Sequence, residues 1–293
     1  MTGVRTRAVP GSSGPTVLRM LVGAQLRRHR EAAGITPAQA GYHIRGSHSK
    51  ISRMELGRVS FKERDIADLL TLYGVTEPER REPLLQLAEQ ANLPGWWHPY
   101  AAVIPSWFEP YLGLEQGAAV IRTHDIQHVP GLLQAPGYAA AVIRARHHGI
   151  AREDVERRVE LVLRRQEILH RPDPVRLWAV IDEAVLRRMI GGSAAMREQL
   201  EHLAAIVEAP NVTVQVMPLA AGGQALVRGP VTLLRFAERE LPDVIYLEHL
   251  AGGSYPDRQL EVTRYRDVLN RLGVQARPPT ETLDILRGII RNL

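Results

Sequence analysis

Between positions 45 and 58 the chain reads RGSHSKISRMELGR, and its side chains suit the binding of a polyanion. Ser47, His48 and Ser49 carry donors close to the backbone, Lys50 and Arg53 add positive charge, and Arg45 and Arg58 flank the run. Such hydroxyl, imidazole, ammonium and guanidinium groups read base edges and bind phosphate oxygens. Ile51 is expected to anchor the segment in a core. Glu55 is its single acid. A carboxylate facing phosphate would be repelled, so Glu55 is assigned to an internal ion pair with Arg27 or Arg30.

Other chemistries find less support. The chain has no cysteine, so it has no disulfide, thiolate metal site or thiol nucleophile, which fits a reducing cytoplasm. His124 and His128 have the ligand spacing of a helix, but Pro130 and the β-like residues around it spoil that geometry, and no third ligand accompanies them. Asp182 and Glu183 start a helix after a strand-like run, where acids cap the dipole. Glu248 and His249 end a strand. The run AGGQALVRGP (221–230) lacks the Lys-Ser/Thr of a phosphate loop, and no GxSxG occurs. The expectation is a protein that is not an enzyme, with no metal and no cofactor.

The elements around the basic run must position it. A chain of 293 residues suits two domains. Residues 17–75 hold ten Lys/Arg and five Asp/Glu, which accounts for the whole net charge of +5 and leaves the remainder near neutral. Charge concentrated in this way points to a polyanion partner for the N-terminal part. The apolar run VLRMLVGAQL is interrupted by Arg19, and no stretch reaches the ~18 apolar residues a membrane helix needs. A cytoplasmic, nucleoid-associated protein is expected.

Leu18, Leu21, Val22, Leu26 and Ala33 recur at helical spacing from Val17, and Gly34 ends that helix. In the next helix Thr36 is the N-cap, Pro37 takes the first position and Gln39 completes a capping box. Ala40 is small where two helices would cross. Gly41 beside it weakens the helix. The chain then turns, Ser47 caps a third helix, and Gly57 supplies a left-handed stop after Leu56. Two further helices fall within 61–75 and 77–91. This is a helix-turn-helix, whose second helix offers its first turns to the major groove. The DNA-binding set is Thr36, Gln39, Arg45, Ser47, His48, Ser49, Lys50, Arg53 and Arg58, with 47–56 as recognition helix.

Six of the fifteen aromatic residues fall between 96 and 111. Trp96, Trp97, Tyr100, Trp107 and Tyr111 read either as the packing of a connector or as a ligand or partner surface. Beyond them helices are expected at 107–122, 136–148, 151–170, 182–190, 193–209, 257–272 and 279–292. Strands are expected at 175–182, 212–218, 231–237 and 243–250. The fold class is α+β: an all-α N-terminal domain followed by a mixed α/β domain. The domains are a flexible tail (1–16), the helix-turn-helix (17–91), an aromatic and Pro-rich connector (92–106) and a regulatory domain (107–293).

The run LRRHREAAGITPAQAGYHIRGSHSKISRMELGR (26–58) resembles the Xre/lambda-repressor-type helix-turn-helix. The segments PGWWHPY, WFEPYLGLEQGAAVIR, VPGLLQAPGYAAAVI, RRVELVLRRQEIL, LWAVIDEAVLRRMIGG and PNVTVQVMPLAAGG follow in the order found in WhiJ-like, antitoxin-like regulators of actinomycetes. Two positions depart from that pattern: His124-Asp125-Ile126-Gln127 replaces a common Tyr-Glu-Pro-Gln, and Gly41 follows the crossing Ala40. The resemblance implies a transcriptional regulator that binds a double-stranded DNA operator as a homodimer. It also implies a small partner protein, often encoded nearby, that tunes it. An antitoxin-like protein that mainly sequesters that partner is one alternative. A small-molecule-responsive regulator with its ligand at the 96–111 aromatics is the other.

Overall fold

A computed structural model describes residues 14–221 and 229–293. Most of the expected tail and the middle of the run 221–230 lie outside the described residues. The chain divides into two units. The first holds Met1–His98 with Gly113–Gly117 and Glu238–Leu241, and the second holds Pro99–Leu112, Ala118–Ala237 and Pro242–Leu293.

In the first unit α1 (Pro15–Ala32) begins at Pro15 rather than Val17, because a proline at the first helical position loses no hydrogen bond. α2 (Pro37–His43), α3 (His48–Glu55), α4 (Glu63–Leu72) and α5 (Pro78–Gln90) follow. Local chemistry sets their starts: Thr36 and Gln39 close a capping box on α2, and the Ser47 side chain accepts from the Lys50 N–H on α3. Leu21, Val22 and Leu26 of α1, Ala40 of α2, Ile51 and Met54 of α3, and Ile66, Leu69 and Leu70 of α4 form the buried core. Each large side chain there contributes about 1.5–3 kcal/mol by leaving water.

Two glycines bring α3 into place. A Cβ on Gly41 would lie 2.8 Å from the Ser47 carbonyl carbon, and one on Gly23 would lie 2.5 Å from the carbonyl oxygens of both Met54 and Glu55. Gly41 therefore does more than weaken α2. It lets the start of α3 press against α2 backbone to backbone, while Gly23 does the same for α1 and the end of α3.

In the second unit the expected helix over 107–122 is corrected. α6 (Glu109–Gly117) stops at Gly117, and Val120–Asp125 is a strand, β1. Then come α7 (Pro136–Arg146), α8 (Arg152–Gln166), β2 (Arg176–Asp182), α9 (Glu183–Arg187), α10 (Gly192–Ile206), β3 (Val212–Met217), β4 (Val231–Arg235), β5 (Val244–His249), β6 (Gly252–Ser254), α11 (Gln259–Gln275) and α12 (Thr282–Arg291). The six strands form one sheet in the order β3-β2-β1-β4-β5-β6. β1 and β3 pair with β2 in parallel, while the β1–β4, β4–β5 and β5–β6 pairs are antiparallel. The architecture is α+β, a helical N-terminal region followed by a domain with this mixed sheet and its helices.

One face of the sheet packs against α11: Val262, Leu269, Leu272 and Ala276 meet Val180, Met217, Val231, Leu233 and Ile245. Alternate residues Leu177, Ala179, Ile181, Val214 and Val216 are buried on the other face. At the β3 edge the Arg277 N–H donates to the Val216 carbonyl (2.9 Å) and the Thr282 hydroxyl to the Val214 carbonyl (2.6 Å). Two carbonyls that would invite strand addition are thereby engaged.

Candidate nucleic-acid interface

α3 turns Ile51 and Met54 into the core and leaves His48, Ser49, Ser52 and Arg53 exposed. The spacings 48–52 and 49–53 put these four on one face. Ser52 belongs to that face although the sequence reading passed over it, and its i+4 relation to His48 was the available signal. Across the turn, α2 adds exposed Gln39, Tyr42 and His43, and Tyr42 is 87% exposed. Arg45, Ser47 and Arg58 are exposed as well. From Thr36 to Lys62 the chain has five Lys/Arg and one acid, Glu55.

Glu55 does not reach that surface. Its carboxylate accepts from Arg30 Nε at 2.5 Å and from Arg30 Nη2 at 2.9 Å, and the two side chains are 8% and 9% exposed. Arg30 Nη1 also donates to the Ile35 carbonyl at 2.8 Å, so one guanidinium ties the end of α3 to the α1–α2 turn. The hydrogen bond to Glu55 holds the Arg30 pKa above its ordinary value. Of the two partners expected for Glu55, Arg27 is excluded, because its Nε lies 2.7 Å from Glu31 one turn along α1. Tyr73 packs nearby, and burial, followed by the Glu55 charge, raises the pKa of its hydroxyl.

Lys50 also departs from expectation. Its ammonium lies 2.5 Å from Asp65 Oδ2, and both groups are partly buried, so Lys50 tethers α3 to α4 rather than extending into a groove. Position 50 follows the Ser47 cap by three residues, which turns its stem along the side of α3 toward α4. Thr36 and Gln39 spend polar atoms on each other: Gln39 Oε1 accepts from the Thr36 N–H at 2.8 Å and from its hydroxyl at 2.9 Å. The exposed polar presentation comes from His48, Ser49, Ser52 and Arg53, with the Ser49 hydroxyl 3.4 Å from His48 Nε2.

The aromatic candidates separate. Trp97 (7% exposed) and Tyr111 (6% exposed) are buried, as the packing reading of this cluster expects. In the first unit Trp97 stands edge-on to Trp96 (6.1 Å between ring centres) and closes over Gly113. In the second unit Trp107, Phe108, Tyr111, Tyr246 and Tyr255 make a continuous ring-to-ring series with centres 4.3–5.6 Å apart. Such spacing is aromatic packing. Tyr100, half-buried, donates to Glu160 Oε1 at 2.9 Å.

The possible catalytic groups are engaged structurally. Asp182 caps α9 through the Ala184 N–H, Glu183 accepts from the Leu219 N–H and pairs with Arg187, and Glu248 pairs with Arg146. His124 is fully buried on β1 with Nδ1 at 2.9 Å from the Val180 carbonyl, which makes Nδ1 the protonated nitrogen. Burial lowers its pKa. His128 contacts Asp125 and Arg146 instead of sharing a site with His124. Among the described residues no group of three or more His, Cys, Asp or Glu side chains could hold a metal ion, and no helix is long and apolar enough to cross a membrane.

Residues 21–82 match the model of a helix-turn-helix domain, and residues 108–288 match Domain of unknown function (DUF5753). The chain belongs to the DUF5753 family. The first match runs from within α1 through α4 into the start of α5 and includes the exposed face just described, and such a domain points to DNA as partner. The DUF5753 domain spans the mixed sheet with its helices. No curated protein and no solved structure matches the chain.

Proposed function

We propose that this DUF5753 protein is a sequence-specific transcriptional regulator of the Xre type, with the N-terminal part of α3 in the major groove. The observation that carries this reading is the acid-free exposed face of α2 and α3: the one carboxylate between 36 and 62 is buried against Arg30. His48, Ser49, Ser52 and Arg53 read base edges, and Arg45 and Arg58 meet phosphates. The DUF5753 domain serves dimerisation and control by a small partner protein, and it is not an enzyme. A homodimer follows from recognition: one such head covers few base pairs, and a pair bound to one face of the duplex reads a symmetric operator.

Selection of duplexes from a random pool by the full chain tests the reading, with sedimentation of the protein run in parallel. The expected result is one palindromic motif with half-sites about one helical turn apart, roughly 34 Å, or a multiple of it. Affinity should fall steeply with salt. A pool that yields no motif, with binding insensitive to salt, refutes DNA recognition. An asymmetric single site bound by a monomer refutes the dimer alone.

A further inference from the structure

A cation in the DUF5753 domain lacks the partner its setting calls for. The parallel register sets Arg122 of β1 opposite Trp178 of β2, and its guanidinium carbon lies 4.0 Å from the centre of the indole ring. Both halves of this stack are fixed. Trp178 Nε1 donates to Gln215 Oε1 at 2.7 Å, and Gln215 Nε2 donates in turn to the Gly273 and Arg277 carbonyls, at and just beyond the end of α11. Gly273 admits the indole, since a Cβ there would overlap Trp178. Arg122 Nη1 donates to Asn270 Oδ1 of α11 at 2.8 Å. The opposite edge of the guanidinium is unmatched. Nε is enclosed without a hydrogen-bond partner, and Nη2 beside it is open and makes no hydrogen bond among the described residues.

That edge is the one by which other arginines of this chain hold carboxylates. Arg235 Nε and Nη2 fork onto Asp243 at 2.8 and 2.7 Å, and Arg30 places the same two nitrogens on Glu55. Arg235 is also the diagonal neighbour of Arg122, because it pairs with Val120 across the β1–β4 ladder while Arg122 pairs with Leu233. Asp243 gives both oxygens to Arg235 and leaves none for Arg122. Burial, followed by the Arg235 charge, lowers the Arg122 pKa, and Asp243 opposes them only in part. A half-buried cation without a counter-charge is costly. No acid outside the described residues can supply one, since 1–13 and 222–228 contain no Asp or Glu. We propose that Arg122 and Asn270, backed by Trp178, form a receptor for the carboxylate of a small organic acid. The carboxylate enters at Nη2 and takes Nε as the second tine of the fork. Asn270 Nδ2, on an exposed residue and unpaired among the described residues, is a further donor, and the half-buried indole flanks the apolar part of the ligand. The platform is held before the ligand arrives, so little ordering opposes binding. A small acid fits better than a protein loop, because Arg122 and Asn270 close to within 2.8 Å of each other between strand and helix.

The test titrates the full-length protein with sodium acetate, sodium benzoate and sodium phosphate, each against sodium chloride at matched ionic strength, and follows tryptophan emission and melting temperature. Both carboxylates should give a saturable change in emission and raise the melting temperature beyond chloride, since a ligand of the folded state stabilises it. Arg122→Gln should weaken both at least about tenfold, through the loss of a charge-assisted hydrogen bond. Asn270→Ala, at an exposed position, should weaken them severalfold, and it decides the matter if Arg122→Gln does not fold. No saturable response beyond chloride in the wild type would overturn the site. Wild-type affinity in folded Arg122→Gln, or in Asn270→Ala where Arg122→Gln fails to fold, would overturn it too. An emission change that persists in Trp178→Phe would come from another indole and overturn the location. Phosphate bound as tightly as the carboxylates would overturn the assignment to a carboxylate.

Discussion

Replacing Glu55 with Ala should loosen the recognition helix by removing a buried charge partner. The Arg30 guanidinium loses two charge-assisted hydrogen bonds, at 2.5 and 2.9 Å, in a place where both side chains are under 10% exposed. Breaking a buried pair in this way costs about 3–5 kcal/mol, most of it from the charge left behind. Some compensation exists: Arg30 keeps the Ile35 carbonyl, and Glu31 lies 3.7 Å away but half-exposed. A half-exposed partner recovers at most about 1 kcal/mol, so the net loss should be about 2–4 kcal/mol. Set against the ~5–15 kcal/mol that holds a typical domain, this is a large share. Urea denaturation of the full chain should show the lower midpoint, and hydrogen exchange over residues 47–58 should locate it at α3. Affinity for DNA should fall with it. The double variant Arg30→Met/Glu55→Leu should recover most of the stability, because an apolar pair needs no desolvation of charge. Normal stability in Glu55→Ala together with tighter DNA binding would refute the argument, since Glu55 would then face the phosphates.

Three further outcomes are expected. Gly41→Ala gains about 1 kcal/mol of helix propensity, yet its Cβ would press 2.8 Å from the Ser47 backbone, so the net effect should be destabilising by about 1–3 kcal/mol in the same denaturation experiment. Arg53→Ala should weaken the selected operator by about 1–3 kcal/mol in a fluorescence-anisotropy titration with the fold intact, whereas Lys50→Ala, which breaks the tether to Asp65, should act first on stability. His124 is neutral and buried with its pKa below the ordinary 6.5, so the unfolded chain binds a proton that the folded chain refuses. Stability from this group is therefore full above pH 6.5 and is lost as pH falls from there toward the depressed folded value, by up to about 1.4 kcal/mol per unit. Calorimetry between pH 7 and 5 should show a shallower loss in His124→Gln, with the remainder from His29, His147 and His202, whose pKa values burial also lowers.

What the sequence by itself determined is the part of the molecule written in short-range chemistry. The α2 capping box needs only Thr36, Pro37 and Gln39, the start of α3 only Ser47, and its stop only Gly57, because each hydrogen bond closes within a few residues. The α+β class was legible for the same reason, since periodicity repeats within each element. Tertiary structure decided what depends on neighbours distant in sequence. The start of β1, 120–122, reads as the end of the helix expected over 107–122. It is a strand because β2 and β4 supply partners on both sides, with Thr123 meeting Thr232 and His124 meeting the Val180 carbonyl. The choice of Arg30 over Arg27 for Glu55 rests on the crossing of α1 and α3 at Gly23, and the diversion of Lys50 on an acid fifteen residues away. A charge in a sequence has no direction until packing fixes which side of its helix faces water.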